Sequence, residues 1–375
     1  MKLTRIEPIV LRYPEPNDFN NLRHTVLVRA TAADGTEGWG EAIAMWPEAC
    51  KAVAHLIDDG LAETVHGMDV TDPPNIWQTL KRHTWWYGEG GLATMALSAI
   101  DMAVWDCAGK CCGRSLSEML GGAKRKELPA IASLHVNHPT IEDSVSTIAG
   151  YITSGFRGAK LGFGKKGPSR VGEDPAYDVD FVKAVRAGMG RDALLMIDIG
   201  NGVRWDAKTA IWATNRMAEY DISWIEEPLH PDDWEGLATM RKAVDIRLAT
   251  GEREWTVAAY GRLIDTGLVD VFGVDPARAE GITGFQRIAG LVEQAGAVIN
   301  AHAWSTAITS AASLHLSLAT SASEIFELKP IENPMQHELV EIPIWHENGQ
   351  VRAPNGPGLG VVPLASVIER YAMVL

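Results

Sequence analysis

Leu194-Leu195-Met196-Ile197-Asp198, Trp224-Ile225-Glu226-Glu227-Pro228 and Ala249-Thr250-Gly251-Glu252 share one design. Each is a short apolar run that ends on an acid. Such runs read as buried parallel strands. Asp198 and Glu226 are 28 residues apart, and Glu226 and Glu252 are 26 apart. An interval of that size holds one strand, one helix and their loops. Outward from these three, strand candidates fall at 128–135, 158–162, 194–199, 222–227, 247–252, 269–275, 298–302 and 324–328. Helical patterns lie between them at 141–153, 178–188 and 207–220, the first with Thr140 as N-cap and Gly155 as stop. Eight such units predict an α/β fold of the (β/α)₈ barrel type. A doubly wound open sheet is the competing arrangement, because local pattern does not distinguish closure from openness.

Residues 1–125 have a different rhythm. Strand-like segments at 3–13 and 24–31 lead to Asp34-Gly35, a turn signal before a third strand at 37–44. Helical patterns follow at 48–59, 76–83 and 92–112. This order predicts an α+β domain over 1–125 and a barrel over 126–329. The last segment, 330–375, contains Asn348-Gly349 and Pro357-Gly358-Leu359-Gly360 and no further βα unit. It is expected to return and pack on the first domain.

The chain has 375 residues and a formal net charge of −14. That length exceeds one ordinary core. That charge argues against a nucleic-acid partner, which would need clustered Lys and Arg. No apolar run is read as long enough to span a bilayer. Met1-Lys2-Leu3-Thr4-Arg5 lacks the apolar core of a signal peptide, so a cytoplasmic address without membrane partners is expected. Cys50, Cys107, Cys111 and Cys112 form no C-x-x-C pair and show no disulfide spacing.

In a barrel, Asp198, Glu226 and Glu252 would converge at the C-terminal mouth, where active sites form. Three converging carboxylates repel one another and need a cation, and hard oxygen ligands favour Mg²⁺. Each alone would be an ordinary strand-end acid facing water. Asp275 and His302 end the next two strand candidates, 27 residues apart. A carboxylate beside an imidazole fixes its tautomer and raises its basicity, which suits a general base. Lys160 on the second strand would neutralise a substrate carboxylate or take a proton, and Glu327 would add an acid from the eighth. The run Gly162-Phe163-Gly164-Lys165-Lys166-Gly167 matches G-x-G-x-x-G. A dinucleotide site needs a helix to begin there, whereas Pro168, Gly172 and Pro175 indicate a loop.

These residues resemble the mandelate racemase and muconate-lactonizing branch of the enolase superfamily. The likeness extends over nearly the whole chain. Gly38-Trp39-Gly40-Glu41-Ala42 is similar to that family's N-terminal hairpin. The run from Ala99 to Asp106, then Gly109-Lys110 and Leu120-Gly121-Gly122, is similar to its helix leading into the barrel. The resemblance implies that Asp198, Glu226 and Glu252 hold Mg²⁺, that His302 is a base with Asp275 as its partner, and that Glu327 is the eighth-strand acid. It also implies a cap, built from both chain ends, that selects substrate with 17–23 and 46–48 and with Trp85, Trp86 and Tyr87. A homo-oligomer is expected. Two positions depart from the family pattern. Gly162 stands where racemases carry the second Lys of a K-x-K motif. Gly200 stands where an Asn often follows the first ligand, with Asn201 one place later.

The implied activity is removal of the proton next to a carboxylate. Loss of a β-hydroxyl would then give a 2-keto-3-deoxy acid, the dehydration of an acid sugar. His302 would serve both steps in a syn course; a separate acid from the cap or from His135 would permit the anti course. The alternatives are a racemase, epimerase or cycloisomerase on the same scaffold, an NAD-dependent dehydrogenase using the glycine run, and a non-catalytic binding protein.

Overall fold

The computed structural model describes residues 1–164, 167–200, 202–203 and 205–374. Three antiparallel strands open the chain: β1 (Leu3–Glu15), β2 (Asn21–Ala32) and β3 (Glu37–Met45). The β2–β3 turn falls at the expected Asp34-Gly35, where Gly35 has a φ of 87° and Asp34 accepts from the Thr36 amide at 3.0 Å. Helices Pro47–Leu56, Pro73–Thr84 and Gly91–Cys112 follow. The Gly-Trp-Gly motif of β3 has a packing reason. A Cβ on Gly38 would lie 2.2 Å from the Ala103 carbonyl, and one on Gly40 would lie 2.1 Å from that of Ala99. Only glycine lets this strand lie directly on the long helix.

That helix corrects an expectation. Gly91–Cys112 is long and apolar enough, by length and composition, to cross a bilayer. Instead, 89% of its apolar window is buried within the protein. Its acids are matched to polar partners. Asp106 accepts from the amides of Trp39 at 2.8 Å and Leu359 at 2.7 Å, and from Lys110 at 2.7 Å. Asp101 accepts from the Thr283 amide and hydroxyl at 2.9 and 2.7 Å. The helix is thus tied to the sheet, the barrel and the chain's end at once.

Eight parallel strands form a nearly closed barrel: β4 (Leu128–His135), β5 (Gly158–Gly162), β6 (Leu194–Asp198), β7 (Trp224–Glu226), β8 (Arg247–Thr250), β9 (Val271–Val274), β10 (Val298–Ala301) and β11 (Phe326–Leu328). They run β10-β9-β8-β7-β6-β5-β4-β11. The Ile299 amide of β10 donates to the Ala322 carbonyl, in the segment leading into β11, at 3.1 Å. Thr140 caps the helix Ile141–Thr153 as expected, accepting from the Asp143 amide. Ile131, Met196, Trp224, Ala249, Val271 and Ile325 make one buried apolar cluster. A strand repeats its direction every second residue. Two places further on therefore come Ser133, Asp198, Glu226, Gly273 and Glu327, and the interior passes from an apolar floor to a charged mouth.

Several strands stop earlier than the sequence suggests. β8 ends at Thr250, β9 at Val274 and β10 at Ala301, so Glu252, Asp275 and His302 stand just beyond the ladder. The tail adds β12 (Gln350–Val351), which pairs antiparallel with β4. Its last residues reach the cap, where the Met373 amide donates to the Val10 carbonyl at 2.8 Å.

Candidate active site

A cavity of about 300 Å³ opens at the barrel mouth. Asp198, Glu252, Lys160 and His302 line it from the barrel, and Arg23 and Trp46 from the cap. Glu226 lies beneath, buried, as the cross-strand partner of Asp198. Lys160, on β5, donates to Glu226 and sits 2.9 Å from both Glu226 and Glu327. Burial alone would lower the Lys160 pKa, but the charges of Glu226, Glu327 and Asp198 hold it well above its ordinary value. Burial pushes the Glu226 carboxyl up. Lys160 opposes this, while Asp198, Glu327 and Glu252 add to it.

Glu252 is surrounded differently. Burial would raise its pKa, yet His302, Lys160, Arg253 and Arg278 together hold it at about 2. Arg253 makes a two-pronged ion pair with Glu227, with Nε 2.9 Å from Oε1. Among the described residues no three Asp, Glu, His or Cys side chains already close on a single point as metal ligands. The donor chemistry nevertheless fits a hard divalent ion. Three carboxylates lie at or just past the ends of adjacent strands, and burial together with neighbouring acids disfavours the charge on Glu226.

His302 and Asp275 come together as their spacing suggests. Nδ1 of His302 is 2.7 Å from Oδ2 of Asp275, whose other oxygen accepts from the Ala277 amide at 2.8 Å. With Asp275 accepting from Nδ1, Nε2 is left as the basic nitrogen; it lies 3.5 Å from Glu252. Burial would lower the His302 pKa, but the Asp275 hydrogen bond and the charges of Glu252 and Asp275 raise it. Glu327 accepts from Asn300 at 2.6 Å, joining β11 to β10.

The cap supplies Arg23, Ile43, Met45 and Trp46 to the cavity. Arg23 is held by Asp18 through Nε and Nη2, at 3.3 and 3.1 Å, and lies over the ring of Trp304. Asn17 turns away from the cavity toward Glu15 and the Ile331 carbonyl. Trp85, Trp86 and Tyr87 do not line it. They are 63%, 79% and 49% exposed, because the chain leaves the helix Pro73–Thr84 on the outer surface there. The glycine run behaves as a loop: Gly162 ends β5, Gly164 has a φ of 63°, and the next helix starts at Pro175. Lys165, Lys166 and Asn201 lie outside the described residues.

Four features were missed from sequence. Trp304, two residues past His302, lines the cavity, and that period-two offset was its only signal. Arg253 directly follows Glu252, and Arg278 lies three residues after Asp275; both also line the cavity. Glu41, read only as part of a hairpin, accepts from Thr25, Ser305, Thr306 and Thr309. No local pattern announces a partner 264 residues away.

Comparison with known proteins agrees with this architecture. Residues 19–121 match the mandelate racemase / muconate lactonizing enzyme N-terminal domain, and 143–367 match the enolase C-terminal domain-like family. A D-galactarolactone cycloisomerase of Agrobacterium fabrum is 31% identical over 392 aligned residues, covering 100% of this chain and 99% of that protein. An L-rhamnonate dehydratase of Saccharopolyspora erythraea is 30% identical, covering 91% of this chain and 83% of the relative. A crystal structure of a racemase from Streptomyces coelicolor with bound magnesium superposes with a TM-score of 0.87 at 26% identity, covering 99% of this chain and 100% of that one. The chain is therefore an enzyme-type member of the enolase superfamily, in its mandelate racemase and muconate-lactonizing branch.

Proposed function

We propose that this protein is a Mg²⁺-dependent acid-sugar dehydratase. One observation carries the proposal: the Asp275-held imidazole of His302 opens onto the same cavity as Lys160, Asp198 and Glu252. Asp198, Glu226 and Glu252 would hold the ion, which when bound supplies electrophilic stabilisation for charge building on the substrate carboxylate. Lys160, kept protonated by Glu226 and Glu327, neutralises that carboxylate further. His302 takes the α-proton on Nε2, and Asp275 fixes the tautomer that allows it. Glu327 anchors Lys160 and Asn300 rather than touching the substrate. Arg23, Met45 and Trp46 close the cavity from the cap side.

Gly162 supports elimination over racemisation. It lines the cavity from β5 and offers no side chain that would return a proton to the opposite face. The relatives named as dehydratases support the same choice. The full-length likeness to a D-galactarolactone cycloisomerase favours a second reading, in which the same proton removal opens or rearranges a ring. We take 1–125 and 330–375 as the cap and 126–329 as the catalytic barrel of a cytoplasmic homo-oligomer. The test is a screen of five- and six-carbon aldonic and aldaric acids and their lactones, with Mg²⁺ and with chelator, followed by NMR in D₂O. A 2-keto-3-deoxy product that requires Mg²⁺ is expected. Build-up of a deuterated α-epimer without keto acid would establish epimerisation instead, and conversion confined to lactones would establish cycloisomerisation.

A further inference from the structure

We propose that His135 is the general acid of the elimination, giving its proton to the departing hydroxyl. This assignment rests on the dehydratase function above. Hydroxide is a poor leaving group, so breaking a β C–O bond at neutral pH needs a proton donor close to that oxygen. Few groups lining the cavity qualify. The arginines do not release protons in this range. Lys160 is clamped between Glu226 and Glu327, both 2.9 Å away, and the function above already gives it to the substrate carboxylate. His302 is already the base. His135 is the other imidazole in the cavity lining.

Its position suits a second proton-transfer group. His135 is the last residue of β4, in the inward series Ile131, Ser133, His135. Its cross-strand partner is Gly162, which lacks a side chain, so nothing from that position on β5 stands between the imidazole and the cavity. The ring lies on Trp304 with centroids 4.4 Å apart and an interplanar angle of 30°, which fixes its plane. In the barrel order β11 lies between β4 and the β10 end that carries His302. The strands of Asp198, Glu226 and Glu252 continue the barrel beyond β5, on the other side. Two imidazoles therefore approach one substrate from different strands, which permits an anti course.

The step balances as follows. His302 removes the α-proton, and the C–H pair enters the enediolate. That pair then forms the C=C bond while the β C–O bond breaks, and protonated His135 delivers its proton to the leaving oxygen as water. The resulting enol takes a proton at C3 and loses its hydroxyl proton to become the 2-keto acid. His302 returns its proton to solvent and His135 regains one, so the net reaction is loss of water alone.

The test uses an acid sugar that turns over in the screen and its 3-deoxy-3-fluoro analogue, with full-length protein and Mg²⁺. Fluoride leaves without protonation. His135→Asn should dehydrate the hydroxyl substrate about 10²–10⁴-fold more slowly. It should still exchange the α-proton with D₂O and expel fluoride within a few-fold of the wild-type rate. His302→Asn should lose all three. Dehydration by His135→Asn near the wild-type rate would overturn the assignment, and so would a loss of fluoride release as large as the loss of dehydration. His135→Gln, a second variant, separates either result from misfolding if its circular dichroism matches wild type. A wild-type protein that forms no keto acid from any acid sugar would sink the dehydratase function, and the acid role with it.

Discussion

On β6, β7 and just past β8 the mouth carries Asp198, Glu226 and Glu252, whereas just past β9 and β10, and on β11, it carries Asp275, His302 and Glu327. Both groups arise from the same repeat of one residue per βα unit, yet their charges are settled differently. On the second side each acid has its own donor: Asp275 has His302 at 2.7 Å and Glu327 has Asn300 at 2.6 Å. On the first side three acids gather at adjacent strand ends, and the cations beside them are shared: Lys160 between Glu226 and Glu327, Arg253 between Glu227 and Glu252. An acid with its own partner can tune a base, whereas gathered acids that share their cations suit an ion from outside.

The largest expected effect breaks the first side. Glu226→Gln removes a charge at nearly constant volume. If the ion contributes several kcal/mol of transition-state stabilisation, activity should fall by about 10³-fold or more, and chelator should do the same to wild type. Calorimetry should show weakened Mg²⁺ binding by the variant. Full turnover in chelator would mean that the gathered acids have another purpose.

Breaking the second side should be nearly as severe but leave metal binding alone. His302→Asn is expected to lose about 10²–10⁴-fold in turnover. Asp275→Asn should lose less, because the imidazole stays but its tautomer is no longer imposed. If α-proton exchange in D₂O survives His302→Asn at the wild-type rate, the base lies elsewhere. A smaller effect sharpens the contrast: Mg²⁺ at 100 times its dissociation constant should stabilise wild type by about 2.7 kcal/mol. Thermal unfolding should show that gain preserved in His302→Asn and lost in Glu226→Gln. Equal gains in both variants would erase the distinction between the two sides.

The acids at the mouth were legible because each ends an apolar run at a constant interval. His302 and Asp275 were legible for the same reason. Strand ends were less so. The ladder stops one or two residues before Glu252, Asp275 and His302, where Glu252 and His302 face the cavity and Asp275 lies buried behind the imidazole. The helical pattern at 92–112 marks the helix Gly91–Cys112, although its composition would also suit a bilayer. Its Asp101 and Asp106 look like interruptions in sequence and become buried junctions only in three dimensions. Contacts between distant segments left no local trace. Glu15 with Lys329, 314 residues apart, is one such pair, and Glu41 with the Ser305–Thr309 segment is another.

Glu41 yields the smallest effect and a further separation of the two sides. The cap is fastened to the barrel on the side of β9, β10 and β11. Lys81 bonds Glu280 at 2.8 Å, Lys329 bonds Glu15 at 2.6 Å, and Glu41 takes the start of the helix Ala307–Ala319. Fully buried on β3, it accepts from the Thr25 hydroxyl at 2.7 Å, the Thr306 hydroxyl at 2.6 Å, the Thr306 and Thr309 amides at 3.3 Å, and the Ser305 hydroxyl. A carboxylate at a helix N-terminus is also favoured by the helix dipole. Glu41→Gln keeps the shape but turns an NH₂ toward groups that donate, so at least one buried donor loses its acceptor. Stability should drop by about 1–3 kcal/mol. Because Trp304 and Ser305 lie two and three residues past His302, turnover should fall as well, while Mg²⁺ affinity stays at the wild-type value. Denaturant unfolding and Mg²⁺ titration of the same variant decide the matter. A loss of metal affinity matching the loss of stability would mean that the cap holds both sides of the mouth as one unit.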